Sequence, residues 1–575
     1  MNQVVIPIAV QDIGKARKRR QPKGRQPEPA ALAEVQAVLG DAPRRRDLLI
    51  EHLHAINDHY GQLAIPHLVA LAQEMGLSMA EVYEVATFYH HFDVVREDAH
   101  GAIQPPAAVT VRVCEGIACE LGGARDLLAR LPALLGSEVK VVAAPCIGRC
   151  ERAPAALVGQ NPVDFASVQS VMDTVATRAV HHEPEAHLGY EEYRAQGGYQ
   201  LLLEVASGKR DTESVLRTME DSGLRGLGGA GFPTGRKWRI VMAEPAPRLM
   251  AVNLDEGEPG TFKDRAYLER DPHRFLEGML IAAAVTQVSA IYIYLRDEYA
   301  GCRAVLGEAL RRLHADPPMP GLPEIQLRRG AGAYICGEES AMIESIEGKR
   351  GMPRLRPPYV AQVGLFGRPT LEHNFETLYW VREILEKGSG WFAAQGRHGR
   401  HGLRSFSVSG RVKLPGVHLA PAGITVSELI EEYCGGMQDG HRFYGYLPGG
   451  ASGGILPASL GDIPLDFDTL QPYGCFIGSA AIVVFSEQDS AVAVARNLMH
   501  FFKHESCGQC TPCRVGTAKA LDVIAQPKWD LAALADLSAV MRDASICGLG
   551  QAAPNPVDCV IKYFPQELAR AARTI

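Results

Sequence analysis

The chain contains 575 residues and carries a formal net charge of −7. A chain of this length is expected to form roughly three to five domains, and its mildly acidic charge gives no general signal for nucleic-acid binding. No run of about 18 apolar residues occurs, so the sequence predicts no membrane-spanning helix.

The first 28 residues are polar and basic. This composition predicts a tail that is either solvated or docks on a partner subunit. The pair Arg19-Arg20 is not followed by the apolar segment that a twin-arginine export signal requires, so export is not expected. We predict a cytoplasmic location.

Residues 29–96 show a helical pattern, in which Leu49, Leu53 and Ile56 recur at helical spacing. The run from Ser78 to Glu81 predicts a capping box at the start of a further helix. The two histidines that follow, at 90 and 91, are predicted to end that helix as partners of its dipole rather than as metal ligands.

The region 107–178 contains the first of two cysteine quartets. Cys114 and Cys119 follow one apolar, β-branched run, and Cys146 and Cys150 follow another. Two loops at strand ends, each with two thiolates, can hold a 2Fe–2S cluster between them. The alternatives are a zinc knuckle or two disulfides, and disulfides are disfavoured in a reducing cytoplasm.

A glycine-rich segment, 223–238, lies in the block 199–402, which mixes helices with apolar strands. It contains G-x-G-x-x-G, and Asp255 lies about where a ribose-binding acid of a Rossmann unit would stand. The motif follows an amphipathic helix instead of a strand, however. We therefore favour a different phosphate-cradling glycine loop, with Lys237 as its counter-charge.

Two more segments, 253–265 and 330–340, combine acidic residues with glycines next to apolar runs. Glycine allows a flat ligand to lie close to the backbone, and carboxylates can hydrogen-bond a sugar or a ring edge. Ordinary solvated turns use the same residues. Three such loops within about 120 residues nevertheless favour a ligand site.

Residues 403–489 have a β-rich pattern, and residues 490–575 are helical and carry the second quartet. Cys507, Cys510 and Cys513 stand at two-residue gaps, and Cys547 follows at a distance. This spacing is typical of a 4Fe–4S cluster, whereas a zinc site more often pairs two separated C-x-x-C hooks. Chemically inert core cysteines are the remaining alternative. The other five of the 13 cysteines are scattered, so the sequence does not support a disulfide framework.

The glycine loop, the two acidic loops, the segment from Gly364 to Asn374 and the cysteine signature together resemble the NADH-oxidising flavoprotein subunit of respiratory complex I. Residues 30–175 resemble the thioredoxin-like 2Fe–2S subunit of that complex, here fused to the flavoprotein. The resemblance implies a multidomain α/β and α+β fold. Its predicted parts are a basic tail (1–28), a helical region (29–96), a thioredoxin-like 2Fe–2S domain (107–178), an FMN/NAD-binding α/β domain that is not a standard Rossmann unit (199–402), a ubiquitin-like β-rich domain (403–489) and a helical 4Fe–4S domain (490–575).

The resemblance also implies roles for individual residues, with FMN performing hydride transfer and no protein acid or base required. The FMN site would consist of Gly226, Gly228, Gly229, Gly231, Lys237 (near the phosphate), Asn253, Asp255, Glu256, Gly257, Tyr334, Gly337, Glu338 and Asn374. The NAD(H) site would add the aromatic platforms Phe232 and Tyr359 and the polar residues Glu258, Glu339 and Arg356. The cluster ligands would be Cys114, Cys119, Cys146 and Cys150 for 2Fe–2S, and Cys507, Cys510, Cys513 and Cys547 for 4Fe–4S.

The fusion resembles the β subunit of cytoplasmic NAD-dependent formate dehydrogenases and the diaphorase subunit of soluble NAD-reducing hydrogenases. The hydrogenase form often lacks the N-terminal cluster cysteines, and all four are present here, which favours formate dehydrogenase. The implied partner is a catalytic α subunit with a molybdenum or tungsten pterin and further iron–sulfur clusters. The alternatives are a hydrogenase diaphorase, a fused complex I NADH-oxidising subunit and a zinc-bearing scaffold without redox activity.

Overall fold

The computed structural model describes residues 24–571 of the chain. Most of the predicted basic tail lies outside this range. The described residues form two compact units, one of residues 24–88 and 92–105 and the other of residues 89–91 and 106–571. Each unit is described by itself.

The first unit is helical, as its periodicity predicts. The predicted capping box is confirmed, since the Ser78 hydroxyl accepts from the backbone N–H of Glu81 and the Glu81 carboxylate accepts from that of Ser78. The helix ends at Ala86, so the prediction that His90 and His91 end it is wrong. The elements are α1 (Pro29–Leu39), α2 (Leu49–Tyr60), β1 (Leu63–Ala64), α3 (Ile65–Met75), α4 (Met79–Ala86) and β2 (Val94–Val95).

The second unit begins with a four-stranded sheet flanked by helices. The two apolar runs before the cysteine pairs form neighbouring parallel strands, so both pairs emerge at the same edge of the sheet. The strand order is β4-β3-β5-β6. The elements are β3 (Val109–Cys114), α5 (Ile117–Leu121), α6 (Ala124–Leu135), β4 (Val139–Ala144), β5 (Ala156–Val158), β6 (Asn161–Val163) and α7 (Val168–Ala176).

A parallel four-stranded sheet organises the next segment. The elements are α8 (Tyr190–Ala195), α9 (Gln200–Ala206), α10 (Thr212–Asp221), α11 (Thr234–Met242), β7 (Arg248–Leu254), α12 (Lys263–Leu268), α13 (Pro272–Thr286), β8 (Val288–Leu295), α14 (Ala300–Ala315), β9 (Glu324–Arg329), α15 (Glu339–Ile346), β10 (Thr370–Asn374), α16 (Phe375–Tyr379), α17 (Val381–Lys387) and α18 (Ser389–Ala393).

The strand order in this sheet is β10-β7-β8-β9, and all three pairings are parallel. Strand β7 is almost continuously apolar and buried, as expected of a central parallel strand that is covered on both faces. The chain runs from β7 to β8 and β9 and then returns to the other side of β7 as β10. Ligands of open α/β sheets bind at the carboxyl ends of the strands, next to such a reversal of strand order.

The β-rich segment is a five-stranded sheet in the order β12-β11-β15-β13-β14. Glycine-containing turns join its strands, as predicted. The elements are β11 (Leu403–Gly410), β12 (Gly416–Pro421), α19 (Val426–Glu428), a π-helical turn (Leu429–Tyr433), β13 (Phe443–Leu447), β14 (Leu456–Pro457) and β15 (Ala481–Ser486).

The C-terminal segment is helical, and α20 packs against α21 and α24. Nowhere in residues 24–571 does a helix have the length and apolar character needed to span a membrane. The helices are α20 (Ala491–Glu505), α21 (Thr511–Ile524), α22 (Leu531–Ala544), α23 (Gly548–Ala552), α24 (Asn555–Tyr563) and α25 (Pro565–Ala571).

Candidate functional site

Two asparagines mark the carboxyl edge of the parallel sheet. Asn253 is the last residue but one of β7 and Asn374 is the last residue of β10, and the two are paired in register. The Asn253 amide donates to the carbonyl oxygen of Gly337 at 2.9 Å, and the Asn374 amide donates to the Asp264 carboxylate at 2.6 Å. These bonds connect the loops that follow β7 and β9, so the acidic loops predicted from sequence meet at one edge.

A cavity of about 260 Å³ opens at this edge. Its volume is near the lower end of the range for small-molecule sites. The predicted site residues that line it are Gly228, Gly229, Asn253, Asp255, Glu256, Gly257, Glu258, Tyr334, Gly337, Glu338 and Asn374. The predicted residues outside this lining are Gly226, Gly231, Phe232, Lys237, Glu339, Arg356 and Tyr359.

The glycine loop lies between helices α10 and α11, which agrees with the argument against a standard Rossmann unit. A backbone hydrogen bond from Gly226 to Phe232, 2.8 Å long, closes it. A Cβ atom on Gly228 would lie 2.9 Å from the Cβ of Asn374, a separation that side chains do not tolerate. Gly229 has a φ of +131°, which favours glycine. The absence of side chains at Gly228 and Gly229 therefore allows the loop backbone to pack directly against the edge of the sheet.

Lys237 lies on the first turns of α11, behind the glycine loop. Its Nζ is 3.0 Å from the carbonyl oxygen of Glu372 and 3.3 Å from a carboxylate oxygen of the same residue. The ammonium is therefore already paired with a carboxylate. Its predicted place beside a phosphate remains a proposal.

Buried carboxyl groups form one wall of the cavity. Burial raises the pKa of Asp255 well above its usual range, and its Oδ2 has no hydrogen-bond partner among residues 24–571. Burial, together with the neighbouring Asp264, raises the pKa of Glu256 to about 7. Glu256 accepts hydrogen bonds from the backbone N–H groups of Asp264 and Arg265 and from the Tyr299 hydroxyl. Asp255 therefore leaves one carboxyl oxygen unpaired for a ligand, whereas Glu256 organises its own loop.

Glu258 is held by its neighbours across the cavity. Its carboxylate accepts from the Tyr334 hydroxyl and from the backbone N–H of Ser452, the latter at 2.7 Å. Burial raises the pKa of Glu258. This carboxylate joins the two acidic loops, 253–265 and 330–340, to the β-rich segment and is not free to act as an isolated charge.

The outer edge of the site carries the remaining predicted residues. Arg356 contacts the carboxylates of Glu338 and Glu339, the second at 2.8 Å. The aromatic rings of Phe232 and Tyr359 are 38% and 56% exposed. Phe232, Glu339, Arg356 and Tyr359 lie outside the lining of the cavity itself.

The sequence did not predict one whole wall of the cavity. Thr261, Lys263 and Asp264 belong to a predicted site loop but were not predicted as site residues. The β-rich segment contributes Gly449, Ser452, Phe476, Gly478 and Ser479, and the C-terminal helices contribute Gly548, Leu549 and Ala552. The available signal was the glycine run at 448–454, a pattern that is equally typical of ordinary turns. Ile335 was also missed, and it lines this cavity and the one described next.

The C-terminal quartet converges on one small cavity. Cys507, Cys510, Cys513 and Cys547 all line it, together with Ile335 and Leu549, which also line the larger cavity. Burial raises the pKa of Cys513 to about 11 and that of Cys547 to about 12. Four thiols that share one cavity are suited to a cubane cluster, whose iron stabilises the thiolate form.

The N-terminal quartet is buried and also converges. The Sγ atoms of Cys146 and Cys150 are 3.2 Å apart, and the neighbouring thiols of Cys119 and Cys146 raise the pKa of the Cys114 thiol. A Cβ atom on Gly116 would lie 3.2 Å from the Cβ of Cys146, so glycine leaves room between the loops. All 13 cysteines are free thiols, and the quartet is arranged as a cluster site.

Comparisons with known proteins identify the family. The chain matches the Nuo51 FMN-binding domain over residues 219–383, the NADH-ubiquinone oxidoreductase-F iron-sulfur binding region over 493–571, the thioredoxin-like [2Fe-2S] ferredoxin over 35–178 and the SLBB domain over 405–456. It is 40% identical over 377 residues to the mitochondrial NADH dehydrogenase [ubiquinone] flavoprotein 1 of Dictyostelium discoideum, covering 62% of this chain and 78% of that protein.

The chain belongs to the complex I 51 kDa flavoprotein family. Another relative of this family is the mitochondrial NADH-ubiquinone oxidoreductase 51 kDa subunit of Neurospora crassa, 39% identical over 62% of this chain and 77% of that protein. The crystal structure of an NAD⁺-reducing [NiFe]-hydrogenase in the H₂-reduced state contains a chain with 31% identity and a TM-score of 0.79, over 92% of this chain and 93% of that chain.

Family membership confirms the predicted fold class and cofactors. The chain is an NADH-oxidising flavoprotein subunit of a larger oxidoreductase. Its cofactors are FMN, a 4Fe–4S cluster and a 2Fe–2S cluster. The alternative of a zinc-bearing scaffold without redox activity is therefore not supported.

Proposed function

We propose that this flavoprotein is the diaphorase, or β, subunit of a cytoplasmic NAD-dependent formate dehydrogenase. Its partner in this proposal is an α subunit that holds a molybdenum or tungsten pterin and further iron–sulfur clusters. The overall reaction converts formate and NAD⁺ to carbon dioxide and NADH. The observation that supports the proposal is the intact N-terminal quartet, four buried thiols in the same chain as the flavoprotein domains. The hydrogenase form of this fusion often lacks these cysteines.

The residues around the larger cavity are proposed to hold FMN. Bound FMN exchanges a hydride with NAD(H) and exchanges single electrons with iron–sulfur clusters. Gly228 and Gly229 allow the ring system to approach the backbone, and Asn253 and Asn374 provide polar groups at the sheet edge. The unpartnered Oδ2 of Asp255 is available to form a hydrogen bond with the bound group.

The residues outside the cavity are proposed to bind the dinucleotide. The half-exposed ring of Tyr359 and the ring of Phe232, over which the Arg236 guanidinium lies, are proposed as surfaces on which an adenine can stack. Arg356 is held between Glu338 and Glu339, so this edge offers a fixed cation and two acceptors. Hydroxyl groups of a ribose are suitable donors for such carboxylates.

The eight quartet cysteines are proposed to bind the two clusters. Ile335 and Leu549 contact both the flavin cavity and the cavity of the C-terminal quartet. The two sites therefore share a wall, which supports the 4Fe–4S cluster as the direct electron partner of the flavin. The 2Fe–2S cluster is a branch or a store of electrons in this scheme.

A second candidate is the diaphorase subunit of a soluble NAD-reducing hydrogenase. The observation in its favour is the likeness to the chain of the solved hydrogenase, which extends over 92% of this protein. The two candidates share the same diaphorase chemistry, and they differ in the metal of the partner subunit.

Metal analysis of the native complex tests the assignment. The complex is purified through a tag on this chain, and its metals and its formate- and hydrogen-dependent NAD⁺ reduction are measured. Molybdenum or tungsten with formate-dependent activity is expected. Nickel with hydrogen-dependent activity would assign the chain to a hydrogenase, and neither metal with quinone reductase activity would assign it to complex I. The isolated chain, as a control, should reduce a dye with NADH and should not oxidise formate.

A further inference from the structure

Two histidines and a glutamate gather outside the two cysteine quartets. His504 and Glu505 are the last two residues of α20. His90 lies on a short segment whose backbone is fixed, since His90 N–H donates to the carbonyl oxygen of Gly332 and His91 N–H donates to that of Ala331. The imidazole rings of His90 and His504 are in contact, with centroids 4.2 Å apart.

The separations within this cluster suit a metal ion. One nitrogen of each imidazole and one carboxylate oxygen of Glu505 lie within 4.8 Å of one another. His504 Nδ1 is 3.3 Å from Glu505 Oε1. A charge-assisted hydrogen bond is usually shorter, about 2.7–2.9 Å. Two ligands at about 2.0–2.1 Å from a tetrahedral zinc ion are about 3.3 Å apart, so this pair already has the spacing of a zinc tetrahedron.

Glu505 is held in place for this role. Its side chain is buried, and its Oε2 accepts the backbone N–H of Tyr334 at 3.0 Å. The other oxygen remains directed at His504. A hydrogen bond to the second carboxylate oxygen is the kind of support that fixes metal-ligating carboxylates.

The third ligand has the freedom to complete the site. His90 is exposed, so its imidazole can rotate about the side-chain bonds to shorten the remaining separations, and water can reach the fourth position. Glu298 is part of the adjoining small cavity, which is lined by His90, Cys146 and Glu505 as well. Its carboxylate is paired with Arg296 at 2.7 Å, so the ligands of the ion are the two imidazoles and Glu505 alone.

We propose that His90, His504 and Glu505 bind one divalent metal ion of the zinc class, with water at the open position. Two imidazoles and one carboxylate form an established ligand set for zinc. The ion would link the end of α20, two residues before Cys507, to the loop at residues 331–332 through the His90 segment. It would thus brace the entrance of the C-terminal cysteine loop and take no part in hydride transfer.

Zinc binding to the chain with its clusters and flavin tests this site. Wild type and the variants His90→Ala and His504→Ala are freed of loosely bound metal by a chelator and dialysed against Zn²⁺. The matched control is His500→Ala, which removes a half-exposed imidazole one turn earlier on α20. Iron content and the electron paramagnetic resonance of both clusters are recorded for every sample, so that zinc in a damaged cluster site is recognised.

Wild type and His500→Ala should each retain one zinc ion more per chain than His90→Ala and His504→Ala. X-ray absorption spectra at the zinc edge of wild type should show nitrogen and oxygen ligands at about 2.0 Å, with scattering from imidazole rings. Equal zinc content in wild type and His90→Ala, at unchanged iron content, would overturn the proposal. Sulfur ligands at about 2.3 Å in the wild-type spectrum would overturn it as well.

Discussion

The guanidinium of Arg296 donates a hydrogen bond of 2.7 Å to the carbonyl oxygen of Cys146, in the N-terminal quartet. The same side chain donates to the carbonyl oxygen of Glu256, in the wall of the flavin cavity, and pairs with Glu298 at 2.7 Å. The arginine is buried. One positive charge therefore lies between the proposed flavin site and the proposed 2Fe–2S site.

Replacing this charge should shift the 2Fe–2S potential. A cation stabilises the reduced cluster, which carries the extra electron, so Arg296→Gln should lower its midpoint potential. A change on the order of 1.4 kcal/mol corresponds to about 60 mV for a one-electron couple. Redox titration followed by electron paramagnetic resonance measures the shift. Arg296→Lys retains the charge and should stay closer to wild type, and an unchanged potential in Arg296→Gln would contradict the prediction.

The two clusters should be separable by mutation because their ligands belong to different segments. Cys510→Ala should remove the 4Fe–4S signal and stop electron transfer to the partner, while NADH still reduces the flavin. Cys146→Ala should remove only the 2Fe–2S signal and leave most dye reduction intact. Electron paramagnetic resonance of each variant provides the measurement. Cys302→Ala, at a buried cysteine outside both quartets, is the control, and loss of both signals from either quartet variant would indicate one shared site.

The stability of the flavin-free chain should fall as pH rises from about 4.5 to about 7. Burial raises the pKa of Glu256 from 4.5 to about 7, so the folded state binds a proton that the unfolded chain has already released in this range. The stabilisation is complete below the unfolded pKa and lost as pH rises through the folded pKa. The shift corresponds to about 3 kcal/mol.

Unfolding followed by tryptophan fluorescence tests this slope, because Trp238 is buried in the flavin domain. Glu256→Gln cannot titrate, so its stability should depend less steeply on pH between about 4.5 and 7, even if its absolute stability is lower. If stability depends on pH equally steeply in the variant and in wild type, a group other than Glu256 is responsible for the pH dependence.

NADH should be preferred over NADPH. Arg356 is paired with both Glu338 and Glu339. Because the two carboxylates share one cation, this group keeps a net negative charge, which repels the 2′-phosphate of NADPH. Glu339→Gln should raise kcat/KM for NADPH by about tenfold, which corresponds to about 1.4 kcal/mol, with a smaller effect for NADH. Dye-reduction kinetics with both cofactors provide the values. Equal efficiencies of the two cofactors in wild type would contradict this view of the site.

Local spacing made the convergence of the cysteines and of the acidic loops predictable. Cysteines two residues apart must lie close together, and the β-branched runs before Cys114 and Cys146 predicted the strands that the structure contains. The parallel strands then bring loops such as 253–265 and 330–340 to one edge of the sheet. A parallel pairing of the strands is sufficient to predict this arrangement.

Long-range packing was not predictable in the same way. Gly449 and Gly478 occur in turns, and nothing local indicates that these turns face a cavity. His90 follows the helical pattern closely in sequence, so it was predicted to end the helix. The helix instead ends at Ala86, four residues earlier. The prediction for Lys237 depended on its position after the glycine loop, and the residue it contacts, Glu372, is 135 residues away.

The flavin cavity takes its walls from Gly228 in the glycine loop, from Ser452 and Gly478 in the β-rich segment and from Ala552 in the last helices. A ribosome must therefore synthesise more than 300 residues beyond the glycine loop before the cavity can close. The complete cavity can therefore form only late in the synthesis of this chain. A nascent chain released before α23 would keep its thioredoxin-like part and still lack a place for the flavin.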